Sequence, residues 1–170
     1  MRSLAVALSL AVAAAEPAPP AELARAAWEG DEARVASLLD AGASPSGRTP
    51  SGSTPLGLAA QAGRLEVARL LLARGALVDG RGADGWTPLM QAAAGGNLQV
   101  AELLLARGAN PNLRTPGGVS ALDVARAADH VAVVGALVRA GARDPSRLPR
   151  AGAAAPEGTA PVRPGGGSAR

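Results

Sequence analysis

The sequence predicts an all-α chain, a solenoid of four helix–turn–helix units joined by β-hairpin-like loops. Three observations predict it. Short motifs recur at a fixed step of 33 residues through the middle of the chain. Phe, Tyr and Ile are absent and Trp28 and Trp86 are the only aromatic residues, which disfavours a β-sandwich or barrel. At 170 residues and 48% hydrophobic, the chain is long enough for one domain with a sizeable core.

The chain opens with one positive charge in Met1–Ser3, continues with the apolar run Leu4 to Val12, and passes into Ala13-Ala14-Ala15. This is the layout of a secretory signal peptide, 1–15, cut after Ala15, which implies a periplasmic or secreted protein. The competing readings are a buried N-terminal helix and a cytoplasmic scaffold whose start is no signal. The apolar stretch is too short to span a bilayer, so no membrane insertion is expected after cleavage. There is no cysteine, hence no lipid-anchor site, disulfide framework, thiolate metal site or cysteine nucleophile.

From residue 16 the repeat takes over. Thr54-Pro55-Leu56 returns as Thr87-Pro88-Leu89 and, more weakly, as Ser120-Ala121-Leu122. Gly42-Ala43, Gly75-Ala76, Gly108-Ala109 and Gly141-Ala142 keep the same step, as do Gly30, Gly63 and Gly96, with Asp129 in the last unit. Each marker has a physical task. Thr54 and Thr87 cap a short first helix with proline at its first position, and Ser120 with Asp123 forms a capping box in which Asp replaces the usual Glu or Gln. Leu56, Leu89 and Leu122 point that helix at the core. Gly63 and Gly96 end it in a left-handed conformation. A second helix runs from about Leu65 to Arg74 and from about Leu98 to Arg107. Glycines 52, 85 and 118 then suit a tight turn.

These residues resemble the ankyrin repeat. Its Thr-Pro-Leu-x-x-Ala signature stands as Thr54 to Ala59 and Thr87 to Ala92, and its closing Leu-Leu-x-x-Gly-Ala as Leu71 to Ala76 and Leu104 to Ala109. The resemblance implies an ankyrin domain at 16–148, with repeats at about 17–49, 50–82, 83–115 and 116–148. The family's histidine after Thr-Pro-Leu is replaced by Gly57, Met90 and Asp123, which implies a stack less rigid than an ideal one. The terminal copies read as caps: Glu22, Glu29, Asp31 and Glu32 face solvent at one end, and Asp123, Arg126, Asp129, Arg139 and Arg143 at the other.

After Asp144 the markers stop, and residues 149–170, rich in Pro, Gly and Ala, are expected to be a disordered tail. Residues 145–170 account for the basic balance. Arg147, Arg150, Arg163 and Arg170 stand against Glu157, whereas 16–144 holds twelve arginines and thirteen acids. A basic folded surface is therefore not implied, nor is nucleic-acid binding.

Candidate chemistry is sparse. Gly80-Arg81-Gly82-Ala83-Asp84-Gly85 fits a dinucleotide fingerprint but lacks the strand and parallel sheet that give the motif meaning. Asp123, Asp129 and His130 form the one conceivable metal or enzymatic set. His130 falls where ankyrin sequences often carry histidine and reads as a solvent-facing turn residue. No enzyme, metal or cofactor is expected; a monomeric, non-catalytic module binding a protein partner is. The ankyrin resemblance places the contacts on the concave face. Trp86 precedes the capping threonine and Trp28 ends the first helix of the first repeat, both at positions the family varies. Arg48, Arg81 and Arg114, continued by Arg147, form a row without the aspartate that often follows, an unpaired cationic edge for an acidic partner. Met90 completes the contact set.

Overall fold

The computed structural model describes residues 20–143. The signal-peptide and tail expectations lie outside these residues. Eight helices follow in pairs: α1 (Pro20–Glu29) and α2 (Glu32–Asp40), α3 (Pro55–Gln61) and α4 (Leu65–Ala73), α5 (Pro88–Ala94) and α6 (Leu98–Ala106), α7 (Ala121–Ala127) and α8 (Val131–Arg139). The caps form where the sequence placed them. Thr54 Oγ1 accepts the Gly57 N–H at 3.1 Å and Thr87 Oγ1 that of Met90 at 3.3 Å. Ser120 Oγ accepts the Asp123 N–H at 3.3 Å, while Asp123 Oδ2 accepts the Ser120 N–H at 2.9 Å and its hydroxyl at 2.7 Å.

First helices pack on first helices, and second on second, so each unit buries its apolar face only against its neighbours. Leu23, Leu56, Leu89 and Leu122 form one fully buried row at the 33-residue step, and Val67, Val100 and Val133 another. Between them sit buried alanines such as Ala59, Ala60, Ala92 and Ala93, which let the short helices approach closely. Helices of seven to ten residues are marginal alone, so this packing is what holds them.

Two rows of side-chain hydrogen bonds tie the units together. Arg64 Nε donates to the Trp28 carbonyl at 3.0 Å, Asn97 Nδ2 to those of Ala60 and Gln61 at 2.9 and 2.8 Å, and His130 Nε2 lies 3.2 Å from that of Ala94. On the loops, Ser46, Asp79 and Asn112 accept the backbone N–H groups of Leu77, Asn110 and Arg143. Inter-repeat bonding thus runs at registers other than that of the missing histidine. His130 is half-buried beneath this contact and is not the solvent-facing turn residue expected.

The first row explains the glycines that end the first helices. Gly96 has φ +68°, and a Cβ there would lie 2.7 and 2.8 Å from the His130 ring; at Gly63 (φ +70°) it would lie 2.6 Å from Asn97 Oδ1. No later repeat folds over Asp129 among the described residues, and aspartate is one of the few residues that tolerate its φ of +57°, though less readily than glycine does. Replacing Asp129 with glycine is expected to stabilise the protein by about 0.5 kcal/mol, the relief of backbone strain slightly exceeding the added freedom of the unfolded chain. Calorimetry reads it as a small rise in Tm; a fall would show that the aspartate makes a favourable local interaction.

The C-terminal end is less polar than expected. Arg126, Asp129 and Arg143 do face solvent, yet Val131 and Val138 of α8 are 79% and 52% exposed. Their counterparts Leu65, Leu72, Leu98 and Leu105 are each partly buried against the core.

Candidate protein-binding groove

Each loop between units folds back on itself through one backbone bond: Thr49 N–H to Ser53, Gly82 N–H to Trp86 and Thr115 N–H to Val119, each 2.9 Å. These bonds bring positions 53, 86 and 119 over the first helices at one step per repeat. Facing them are Leu58, Gln91 and Val124, and one turn further Gln61, Ala94 and Ala127. Between the two rows lie two hollows. One, of about 280 Å³, includes Ser53, Leu58, Gln61, Asp84 and Gln91; the other, of about 490 Å³, includes Val119, Val124 and Ala127. Trp86 and Ala94 line both, so the hollows join into one groove crossing the second, third and fourth units.

Trp86 is half-buried, one side resting on the core. The groove changes character across it. On one side it is hydroxyl- and amide-rich; on the other it is apolar, with Val119 38% exposed. Gln91 Oε1 is buried in the polar half with no hydrogen-bond partner among the described residues, a state that costs free energy unless a donor is supplied.

The remaining residues expected to make contacts fare differently. Trp28, 44% exposed, ends α1 in the register of Gln61 and Ala94 but lines neither hollow. Met90 is 1% exposed and cannot contact a partner: it packs in the core, and its sulfur accepts the Thr87 N–H at 3.5 Å. Because α5 lies between two neighbours, the side chain that replaces the family's histidine turns inward. The arginine row is not an unpaired cationic edge either. Arg81 Nη1 donates to the carbonyls of Arg114 and Gly85 at 2.8 and 3.3 Å. Arg114 Nη1 donates to the Gly118 carbonyl and pairs with Asp123 at 3.3 Å. Backbone carbonyls and Asp123 take the place of the missing aspartates. Arg48 is exposed, with no such bond among the described residues, and lines a separate hollow with Pro45, Leu77 and Arg81. Arg147 lies outside the described residues.

The glycine-rich stretch 80–85 forms the loop closed by Gly82 and Trp86, with Gly85 at φ +73°, and so has no strand-to-helix turn for a pyrophosphate. Asp123, Asp129 and His130 are not brought together: Asp123 is held by Ser120 and Arg114, and His130 reaches toward Ala94. Among the described residues no group of three or more His, Asp or Glu side chains is placed to hold a metal, and no helix is long and apolar enough to cross a membrane.

Partial burial alone would raise the Asp123 carboxyl, but its bonds from the Ser120 hydroxyl and N–H and the nearby Arg114 guanidinium hold it below the ordinary aspartate value. A depressed folded-state value stabilises the protein above the unfolded pKa, and the contribution disappears as pH falls through the folded value. Asp123→Asn is therefore expected to lower stability by about 0.5 kcal/mol near neutral pH, discounted for its partial exposure, and to leave it unchanged near pH 2. Urea unfolding at the two pH values measures the difference; an equal loss at both would remove the ionic contribution.

Leu58, Gln91, Val119 and Val124 were missed as groove residues. Their signal was the 33-residue step counted from Trp86 and from the first helices, since positions in register line one continuous face. No characterised protein matches the sequence. A family model of ankyrin repeats, three copies long, matches residues 23–115 and again 83–147. Together with the four helix pairs and their looped connections, this match shows that the chain belongs to the ankyrin-repeat family.

Proposed function

We propose that the protein is a non-catalytic binding module that holds a protein partner in the groove crossing Trp86. Ankyrin repeats are in general protein–protein interaction modules, and the observation supporting this particular face is the position of Trp86. Its ring is fixed on one side by the core and opens on the other into both halves of the groove. A rigid aromatic side chain in a partly desolvated hollow is the usual anchor of an interface. Trp28 and Arg48, both exposed on the first unit, make peripheral contacts to the same partner. Met1–Ala15 would direct the protein out of the cytoplasm, which mass measurement of the mature N-terminus tests: an intact Met1 would argue against export.

Trp86→Asp is expected to weaken partner binding about 30-fold or more while leaving the helical circular dichroism and a cooperative melt in place. Trp28→Asp is expected to cost less than tenfold. Isothermal titration with the captured partner reads both. An affinity unchanged by Trp86→Asp would remove the groove from the interface.

A further inference from the structure

Beyond Arg143 the chain continues through residues 144–170, which include Pro161-Val162-Arg163-Pro164. Two prolines three residues apart favour polyproline II, a threefold helix that turns both rings to one side and leaves its backbone groups free. Segments of this kind dock in grooves lined by aromatic and apolar side chains. The apolar half of the groove supplies Trp86, Val119 and Val124. Next to it Gln91 Oε1 is buried and lacks a donor among the described residues, and the N–H groups of Val162 and Arg163 are donors that the flanking prolines do not have. Asp84, on the groove wall, is exposed and in no ion pair among the described residues, a carboxylate suited to Arg163. The charge of the segment agrees with this. Residues 144–170 carry four arginines against Asp144 and Glu157.

Reach and tethering favour the chain's own copy of this motif over one on another molecule. Pro161 lies 18 residues past Arg143, a span of up to about 60 Å when extended. The groove's apolar half belongs to the last two units, whose helices stack at about 10 Å. Such a tether holds the motif at an effective concentration on the order of 1 mM, so even a weak site is filled from within the chain.

We infer that Pro161–Pro164 of the chain's own tail occupies the Trp86 groove in the free protein, and that a partner must displace it to bind. The inference rests on the groove being the binding face, but its test needs no partner.

The full-length chain has no cysteine, so an engineered pair reports without background. Val119→Cys with Val162→Cys places one thiol in the groove and one in the motif. Gln99→Cys with Val162→Cys places the first on exposed α6, away from the groove. Under mild oxidation at low micromolar protein, the groove pair is expected to close a disulfide within single chains at least tenfold faster than the α6 pair. Pro161→Ala with Pro164→Ala should slow only the groove pair, by about tenfold. Equal rates for the two pairs, or a groove rate indifferent to the prolines, would overturn the inference. Two-chain products in place of single-chain ones would overturn it as well, by assigning the motif to a second copy. None of these outcomes bears on the Trp86→Asp titration, which alone decides whether the groove binds a partner.

Discussion

Leu104→Ala is expected to destabilise the protein by about 3 to 4 kcal/mol. Leu104 is fully buried on α6, between the helices of the third unit and α8 beyond it. Truncation removes three buried carbons and leaves a cavity whose walls are already small. Ala92, Ala93 and Ala101 of the same core cluster have no side chain long enough to swing into the space, so relaxation recovers little. A loss of this size is a large part of the 5 to 15 kcal/mol that holds a typical domain. Because each unit is stabilised chiefly by its neighbours, the third and fourth units should lose structure before the first two. Urea unfolding followed by circular dichroism measures the total, and amide exchange along the chain locates it. Val131→Ala, at a site 79% exposed, should change stability by less than about 0.5 kcal/mol. Equal losses at the two positions would contradict the assignment of the core.

Gly96→Ala is expected to cost about 2 to 3 kcal/mol although it adds a single methyl group to a loop. Two effects combine. The backbone there is left-handed at φ +68°, which alanine resists, and the new Cβ would press on the His130 ring at 2.7 Å. Relieving that contact displaces His130 from the Ala94 carbonyl and breaks a bond between the last two units. Gly108→Ala provides the comparison. Its φ is +87°, but a Cβ there would meet nothing within 4 Å, so it carries the backbone strain alone. Thermal melts of the two variants should therefore differ, with Gly96→Ala the less stable. Identical losses would mean that the His130 contact contributes nothing to the stack.

The repeat architecture was legible because it is written in spacing. Capping hydroxyls, helix-ending glycines and core leucines recur at one step, and both central second helices end within one residue of the expected position. Single positions were less legible, for a definable reason: the period says which residues are equivalent but not what covers each of them. Gly57, Met90 and Asp123 share a register, yet Met90 is sealed between neighbouring units while Asp123 stands half-exposed at the last. The arginines misled in the same way. Without an aspartate beside them Arg81 and Arg114 read as free, but their partners are carbonyls four residues or one repeat away and, for Arg114, the Asp123 carboxylate, to which a local motif is blind. Trp86 could be singled out because tryptophan is rare in this chain. The groove around it depends on Val119 and Val124, ordinary residues that gain meaning only when the loops fold over the first helices.

The central claim is that partners are held in the groove across Trp86. The most direct test is to compare capture of the same partner by wild-type protein, by Trp86→Asp, and by Val131→Asp at an exposed position of α8 that lines neither hollow of the groove. Each variant must first show a native helical signal. The account predicts that the partner is retained by wild type and by Val131→Asp and lost with Trp86→Asp. Retention by Trp86→Asp together with loss on Val131→Asp would contradict it and move the interface to the C-terminal end of the stack.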